Sequence, residues 1–226
     1  MKLDKTTLTV LQNFAGINSN LVLKPGNVIK TMAPAKNVMA AATVTETFPS
    51  ECGIYDLNEF LSLLNLVDEP NLTISDTHAN ISDNSGISEI KYYFSDVDTL
   101  SAPGSNVTMP EPDISFVLTA DIFNKLKRAS SAMGNNMVSI EPDNGTFKLT
   151  IFGENRGVTG NVYSTIVPAD KYHDGDYKFI LNIANMKLIS GDYKVEVSRK
   201  LISHMKHTTL PIEYWIALER DSVWNN

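Results

Sequence analysis

The chain has 226 residues, 42% hydrophobic and 20% charged, with 12 Gly, 10 Pro and a single Cys; this is globular composition and excludes disordered, collagenous and disulfide-framed classes. The longest apolar stretches, residues 63–67 and 214–218, fall far short of the roughly 20 residues of a membrane span, and the opening residues lack the apolar core of a secretory signal, so the sequence reads as a soluble protein with no membrane partner. The formal charge of −7 is lopsided, with 6 Lys/Arg against 13 Asp/Glu in residues 1–112 and 13 of each in residues 113–226, so any surface that meets nucleic acid must be local.

In chain order, the apolar spacing predicts a helix over 4–17 and short alternating strands over 21–24, 28–32 and 38–46. Lys24-Pro25-Gly26-Asn27 between the first two strands has hairpin-turn chemistry, because Pro presets one φ and Gly accepts a positive one. A helix over 57–66 follows, with Asp56 as N-cap and Pro70 beyond its end. Strands are predicted at 72–75, 79–82 and 87–94. Residues 95–112, with Pro103-Gly104, Pro110 and Pro112, read as a connector.

The second half repeats the order. A strand over 114–118 leads to a helix over 120–133 capped by Thr119. Strands over 137–141, 146–152 and 161–167 come next, the first two joined at Asp143-Asn144-Gly145, a strong hairpin signal. A strand over 177–182, a short helix around 183–188 and strands over 192–199, 201–207 and 212–219 complete the chain. Two similar α+β domains, 1–94 and 113–226, joined by 95–112, are the economical reading.

At about 100° per residue, the first helix turns Leu3, Val10, Leu11, Phe14, Ala15 and Ile17 inward. Its polar arc holds Lys2, Lys5, Thr9, Gln12, Asn13 and Gly16, with no carboxylate. The helix over 120–133 places Ile122, Leu126, Ala129 and Met133 inward and Asn124, Lys125, Lys127, Arg128 and Ser131 outward, its only acid being Asp121 in the first turn, where it suits the helix dipole. Such faces serve either as sequence-independent phosphate contacts or simply as solvated helix surface.

No enzymatic constellation emerges. His173-Asp174-Gly175-Asp176 reads as a turn rather than a metal loop, and His204 and His207 read as strand-edge or loop residues without metalloprotease spacing. Cys52 lacks an activating neighbour, and the glycines of 153–160 lack the strand-to-helix setting of a phosphate loop. The strand ending the chain is apolar on both faces around 214–218; one face belongs to a core and the other is covered by the connector or forms a groove for a partner peptide.

The chain resembles the DNA polymerase processivity clamps, specifically the sliding clamps of T-even-type bacteriophages. The resemblance is carried by the run Ile54-Tyr55-Asp56-Leu57-Asn58-Glu59-Phe60-Leu61 and its continuation to Val67. Phe179-Ile180-Leu181-Asn182-Ile183-Ala184-Asn185-Met186-Lys187, Gly191-Asp192-Tyr193-Lys194, Ile216-Ala217-Leu218-Glu219-Arg220-Asp221-Ser222 and the opening Leu11-x-Asn13-Phe14-Ala15-x-Ile17-Asn18 carry it too.

That resemblance implies two DNA-clamp domains per chain and a head-to-tail homotrimer, a PCNA-like ring with helices inside and sheets outside. It implies no catalysis, metal or cofactor. Lys2, Lys5, Lys125, Lys127, Arg128 and Lys187 would face encircled duplex DNA, while the helix beginning at Asp56 departs from the pattern by carrying acids and no Lys or Arg. The implied partners are a DNA polymerase C-terminal peptide, an ATP-dependent clamp loader and late-transcription factors, in the cytoplasm of an infected bacterial host. Met32, Val38, Ala40, Leu100, Val107, Trp215, Ala217 and Leu218 would form the peptide pocket. The alternative from another class is a phage structural or decoration protein built of β-rich domains.

Overall fold

In the computed structural model, which describes residues 1–85, 87–104, 107–153 and 160–225, the chain divides into two compact units, Met1–Asn106 and Val107–Asn226. The division falls within the connector read from the sequence. Most of the glycine-bearing run 153–160 lies outside the described residues.

The first unit begins with α1 (Lys5–Ile17). Asp4, inside the predicted span, caps the helix instead, its carboxylate accepting from the Thr7 amide at 2.6 Å, which satisfies one of the amides that a helix N-terminus leaves unpaired. Strands β1 (Leu21–Leu23), β2 (Gly26–Met32), β3 (Val38–Phe48) and β4 (Cys52–Ile54) follow, then α2 (Leu57–Leu64), β5 (Asn71–Ile74), β6 (His78–Ser82) and β7 (Glu89–Tyr93). Asp56 caps α2 through the Asn58 and Glu59 amides. α1 packs on β3 and α2, burying Val10, Leu11, Phe14 and Ile17 together with Thr7. Leu3 precedes the helix and Ala15 is only half-buried.

One turn expectation fails. Gly26 does take a positive φ of 116°, but Lys24-Pro25-Gly26-Asn27 is a corner rather than a hairpin. β1 pairs with β4 (Leu21↔Ile54), and β2 pairs with β3 (Thr31↔Ala40). The reason is burial: Leu21, Val22 and Leu23 are all buried, as are Cys52, Gly53 and Ile54, so these two fully apolar segments satisfy each other's backbone groups. A bridge between Gly53 and Ser95 and a single 3-10 turn at Val97–Thr99 order the start of the connector.

The second unit runs β8 (Ile114–Leu118), α3 (Ala120–Met133), β9 (Met137–Asp143), β10 (Thr146–Phe152), β11 (Tyr163–Lys171) and β12 (Asp176–Asn182), then β13 (Tyr193–Ser198), β14 (Ile202–His207), β15 (Ile212–Ala217) and β16 (Val223–Asn225). Its strands form an antiparallel sheet in the order β16-β12-β9-β10-β11-β8-β13-β14-β15. The predicted β9–β10 hairpin is present, with Asn144 and Gly145 at φ of 48° and 81°. The predicted helix around 183–188 is one 3-10 turn, Ile183–Asn185, because Met186 leaves helical geometry at φ −83° and ψ 61°. β16 was not anticipated; Trp224 anchors it, stacked on His173 at 4.5 Å and under the Arg199 guanidinium at 4.2 Å.

Candidate nucleic-acid interface

α3 is the more strongly charged of the two long helices. Thr119 Oγ1 accepts from the Ile122 amide and the Asp192 carboxylate accepts from the Ala120 amide at 2.7 Å, so its N-terminus is fixed from within and from 72 residues away. Gly134 ends it in the left-handed conformation at φ 65°, a cap that a β-carbon would strain. α3 packs on β10 and β11.

The stripe it buries is Phe123, Leu126 and Ser130. Of the predicted inward set only Leu126 is fully buried; Ile122, Ala129 and Met133 are half-buried. Phe123 was missed because the true axis of the stripe is rotated toward it, a rotation fixed by the sheet beneath. The outward set holds: Asn124, Lys125, Lys127, Arg128 and Ser131 are exposed. The solvent face of α3 thus carries three cations and one acid, Asp121. α1 exposes Lys5, Thr6, Thr9, Gln12 and Gly16 and contains no carboxylate.

The six predicted DNA-facing cations are all exposed, but they differ in what they touch. Lys2, before α1, places Nζ 3.1 Å from Glu69 Oε2. Lys125 Nζ lies 2.7 Å from Asp121 Oδ2, and Lys127 Nζ sits 4.6 Å over the Phe123 ring. Lys5 and Arg128 form no ion pair among the described residues. Lys187 follows the 183–185 turn, its amide bonded to the Asn185 carbonyl.

Nothing in the sequence signals the Lys2–Glu69 pair, because the partners are 67 residues apart. The structure further secures Glu69 through Asn84 Nδ2 at 2.9 Å. At the start of α1, Glu46 accepts from the Asp4 amide and the Thr7 hydroxyl at 2.5 Å each. The Thr7 amide, then the Thr45 hydroxyl, hold the Asp4 carboxyl below its ordinary value.

The predicted peptide-pocket residues separate by burial. Val38 and Ala40 lie where β3 is buried on both faces, from Val38 to Ala42, and are core residues. Met32 is half-buried beside them, and its carbonyl shares Asn18 Nδ2 with the Ser101 carbonyl, at 2.9 and 3.0 Å. Leu100 is half-buried and packs over Gly53.

In the second unit the pleat of β15 sorts the rest. Ile212, Tyr214 and Ile216 are buried on one face, continued by Leu218, while Glu213, Trp215 and Ala217 lie half-buried on the other. Leu218 is therefore parted from Trp215 and Ala217. Val107, at the start of this unit, is half-buried. An open groove of 1460 Å³, lined by Asn135, Phe152, Lys178, Ile180 and Arg220 among others, includes none of the predicted pocket residues.

His204, expected at a strand edge or in a loop, stands inside β14 opposite Trp215. Its ring stacks on the Trp215 indole at 5.0 Å and 13°. Its nitrogens meet Glu213 at 2.8 Å and Glu196 at 3.4 Å.

Two open strand edges carry large exposed apolar side chains. Among the described residues β7 pairs only with β6, and it bears Tyr93, 69% exposed. Among the described residues β11 pairs with β10 along residues 163–168 and reaches β8 only at Ala169 and Lys171; the stretch between bears Ile166, 57% exposed. Unpaired edges with apolar side chains are templates for pairing with another chain.

Comparison with known proteins places these features in context. Residues 2–103 match the family model for the DNA polymerase processivity factor, and residues 115–220 match that for the C-terminal part of the gp45 sliding clamp. The chain is similar to the sliding clamps of Escherichia phage RB69 and Enterobacteria phage T4, 31% identical to each over 98% of both chains. To that of Vibrio phage KVP40 it is 28% identical over 97% of this chain and 99% of the relative. Among solved structures, A. fulgidus PCNA, determined with the C-terminal region of FEN-1 bound, aligns with a TM-score of 0.71 at 14% identity over 98% of each chain. Entamoeba histolytica PCNA aligns at 0.65 and 15% over 94% of each. These two likenesses show a shared fold, two clamp domains of α+β type per chain.

Proposed function

Because this chain belongs to the sliding clamps, the DNA polymerase processivity factors, we propose that three copies close into a ring around duplex DNA and tether the replicative polymerase at the primer end. The observation that carries this reading is electrostatic. In a protein of net charge −7, the exposed faces of both long helices are basic or neutral, which favours weak, sequence-independent phosphate contact there and repulsion elsewhere. The work is topological rather than chemical: a closed ring stays on DNA without tight contacts, and a tethered polymerase experiences an effective concentration on the millimolar scale.

Self-association is supported by the open edges of β7 and β11. Partner binding is supported by half-buried apolar side chains, Met32 and Leu100 on the first unit and Val107, Trp215 and Ala217 on the second. An apolar anchor from a DNA polymerase C-terminal peptide adds to them. Val38, Ala40 and Leu218 are buried and offer the peptide no contact area. Loading by an ATP-driven clamp loader, recruitment of late-transcription factors, and action in the cytoplasm of an infected bacterium are further parts of the same proposal.

The test is release from ends. Protein loaded on a circular template is expected to dissociate when the circle is linearised, and Lys125→Glu with Arg128→Glu is expected to lower retention and polymerase processivity while leaving the circular dichroism spectrum unchanged. Equal retention on circular and linear templates refutes encirclement and favours a virion-associated surface binder.

A further inference from the structure

The cations of α3 are not equivalent. Lys125 is held by Asp121 one turn earlier at 2.7 Å, in the acid-before-base i,i+4 order that helices favour, and hydrogen bonding to Asp121, then its charge, raises the Lys125 ammonium above its ordinary value. Lys127 is drawn over Phe123. Arg128 is exposed and makes no ion pair among the described residues, and its planar fork suits phosphate oxygens. The first unit repeats the device with different residues, where Glu69, fixed by Asn84, holds Lys2.

We propose that Asp121 damps DNA contact: it occupies Lys125, so that Arg128 supplies the standing phosphate contact of α3 and Lys125 joins only in part. This rests on the reading that α3 faces DNA. An exposed ion pair is weak, so phosphate competes with the carboxylate for Lys125 instead of being shut out. The consequence is a graded hold, firm enough to keep the duplex centred and loose enough for the ring to slide. Each phosphate contact released or gained changes the slope of log affinity against log salt by about 0.9, so the damper is measurable as a slope.

The experiment uses full-length protein and a short blunt-ended duplex, with fluorescence anisotropy from about 50 to about 200 mM salt, the range over which such contacts act. The variants are Asp121→Asn, Lys125→Gln, Arg128→Gln and the Asp121→Asn/Lys125→Gln pair, each checked for an unchanged thermal transition. Arg128→Gln is expected to weaken binding and flatten the slope more than Lys125→Gln. Asp121→Asn is expected to steepen the slope by up to about 0.9 per subunit, roughly a threefold gain per subunit at the low-salt end, and to lose that effect in the Lys125→Gln background.

An equal gain with or without Lys125 would mean plain charge repulsion by Asp121 and overturn the damper. So would a Lys125→Gln loss as large as that of Arg128→Gln. If neither Lys125→Gln nor Arg128→Gln changes binding, α3 does not face DNA, and the premise falls together with the inference.

Discussion

Replacing Gly53 by Ala tests how the connector is tied to the first unit. A β-carbon at Gly53 would overlap the Ser95 carbonyl oxygen and lie 2.9 Å from Leu100 Cδ1, and backbone cannot swing aside as a long side chain can. Relief requires residue 95 to retreat, which breaks the bond from the Ser95 amide to the Gly53 carbonyl, now 2.9 Å. Losing that bond costs about 1 kcal/mol, and overpacking a filled site adds about 1–3 kcal/mol. The reduced freedom of the unfolded chain returns about 0.4–1 kcal/mol. The expected net loss is about 1–3.5 kcal/mol, a fall in Tm of roughly 2–14 °C for a chain of this size. Urea and thermal unfolding followed by far-ultraviolet circular dichroism measure it. Gly16→Ala is the control: it stands in α1 with open space at its β-carbon, and is expected to stabilise by about 0.5–1 kcal/mol. A Gly53→Ala protein within about 0.5 kcal/mol of wild type would refute the reasoning, since surface changes of no consequence fall in that range.

Three further outcomes are expected. Asp4 is held below the ordinary carboxyl value by the Thr7 amide and the Thr45 hydroxyl. Asp113 is also held below it: burial opposes ionisation there, but the Arg199 side chain and amide outweigh it. A lowered folded-state carboxyl contributes stability above its unfolded value that is lost as pH falls through the lower folded value, so wild type should lose stability more steeply below about pH 4 than Asp4→Asn/Asp113→Asn; parallel curves in acid urea titrations would contradict this. Burial, then the charge of Glu51, pushes the Cys52 thiol up to about 12, so a disulfide reagent at neutral pH should label it only after unfolding; rapid labelling of native protein would contradict its placement in β4. Tyr93→Lys and Ile166→Lys should each weaken self-association by about tenfold or more, roughly 1.4 kcal/mol, seen in light scattering as mass falling toward 25.0 kDa; unchanged mass would place self-association on other edges.

Local signals in the amino-acid sequence were enough to place α1, α2 and α3, because Asp56 and Thr119 act on amides two or three residues ahead, and apolar spacing marks a helix before anything packs on it. The same holds for Asn144-Gly145, whose positive φ angles are a property of those residues and their turn. Lys125 and Arg128 could be assigned to the solvent face for this reason. Phe123 could not be placed beneath them, since the rotation of the buried stripe depends on β10 and β11. Tertiary structure alone made Pro25-Gly26 a corner, because β1 finds its partner in β4, 31 residues on at the Val22↔Gly53 pair. It alone set Glu69 on Lys2, placed His204 within the sheet against Trp215, and turned Leu218 away from Trp215. Caps and turns reach only a few residues along the chain, whereas strand partners, ion pairs and the covered face of a strand are chosen across it, by which apolar surfaces can be buried together without stranding a backbone hydrogen bond.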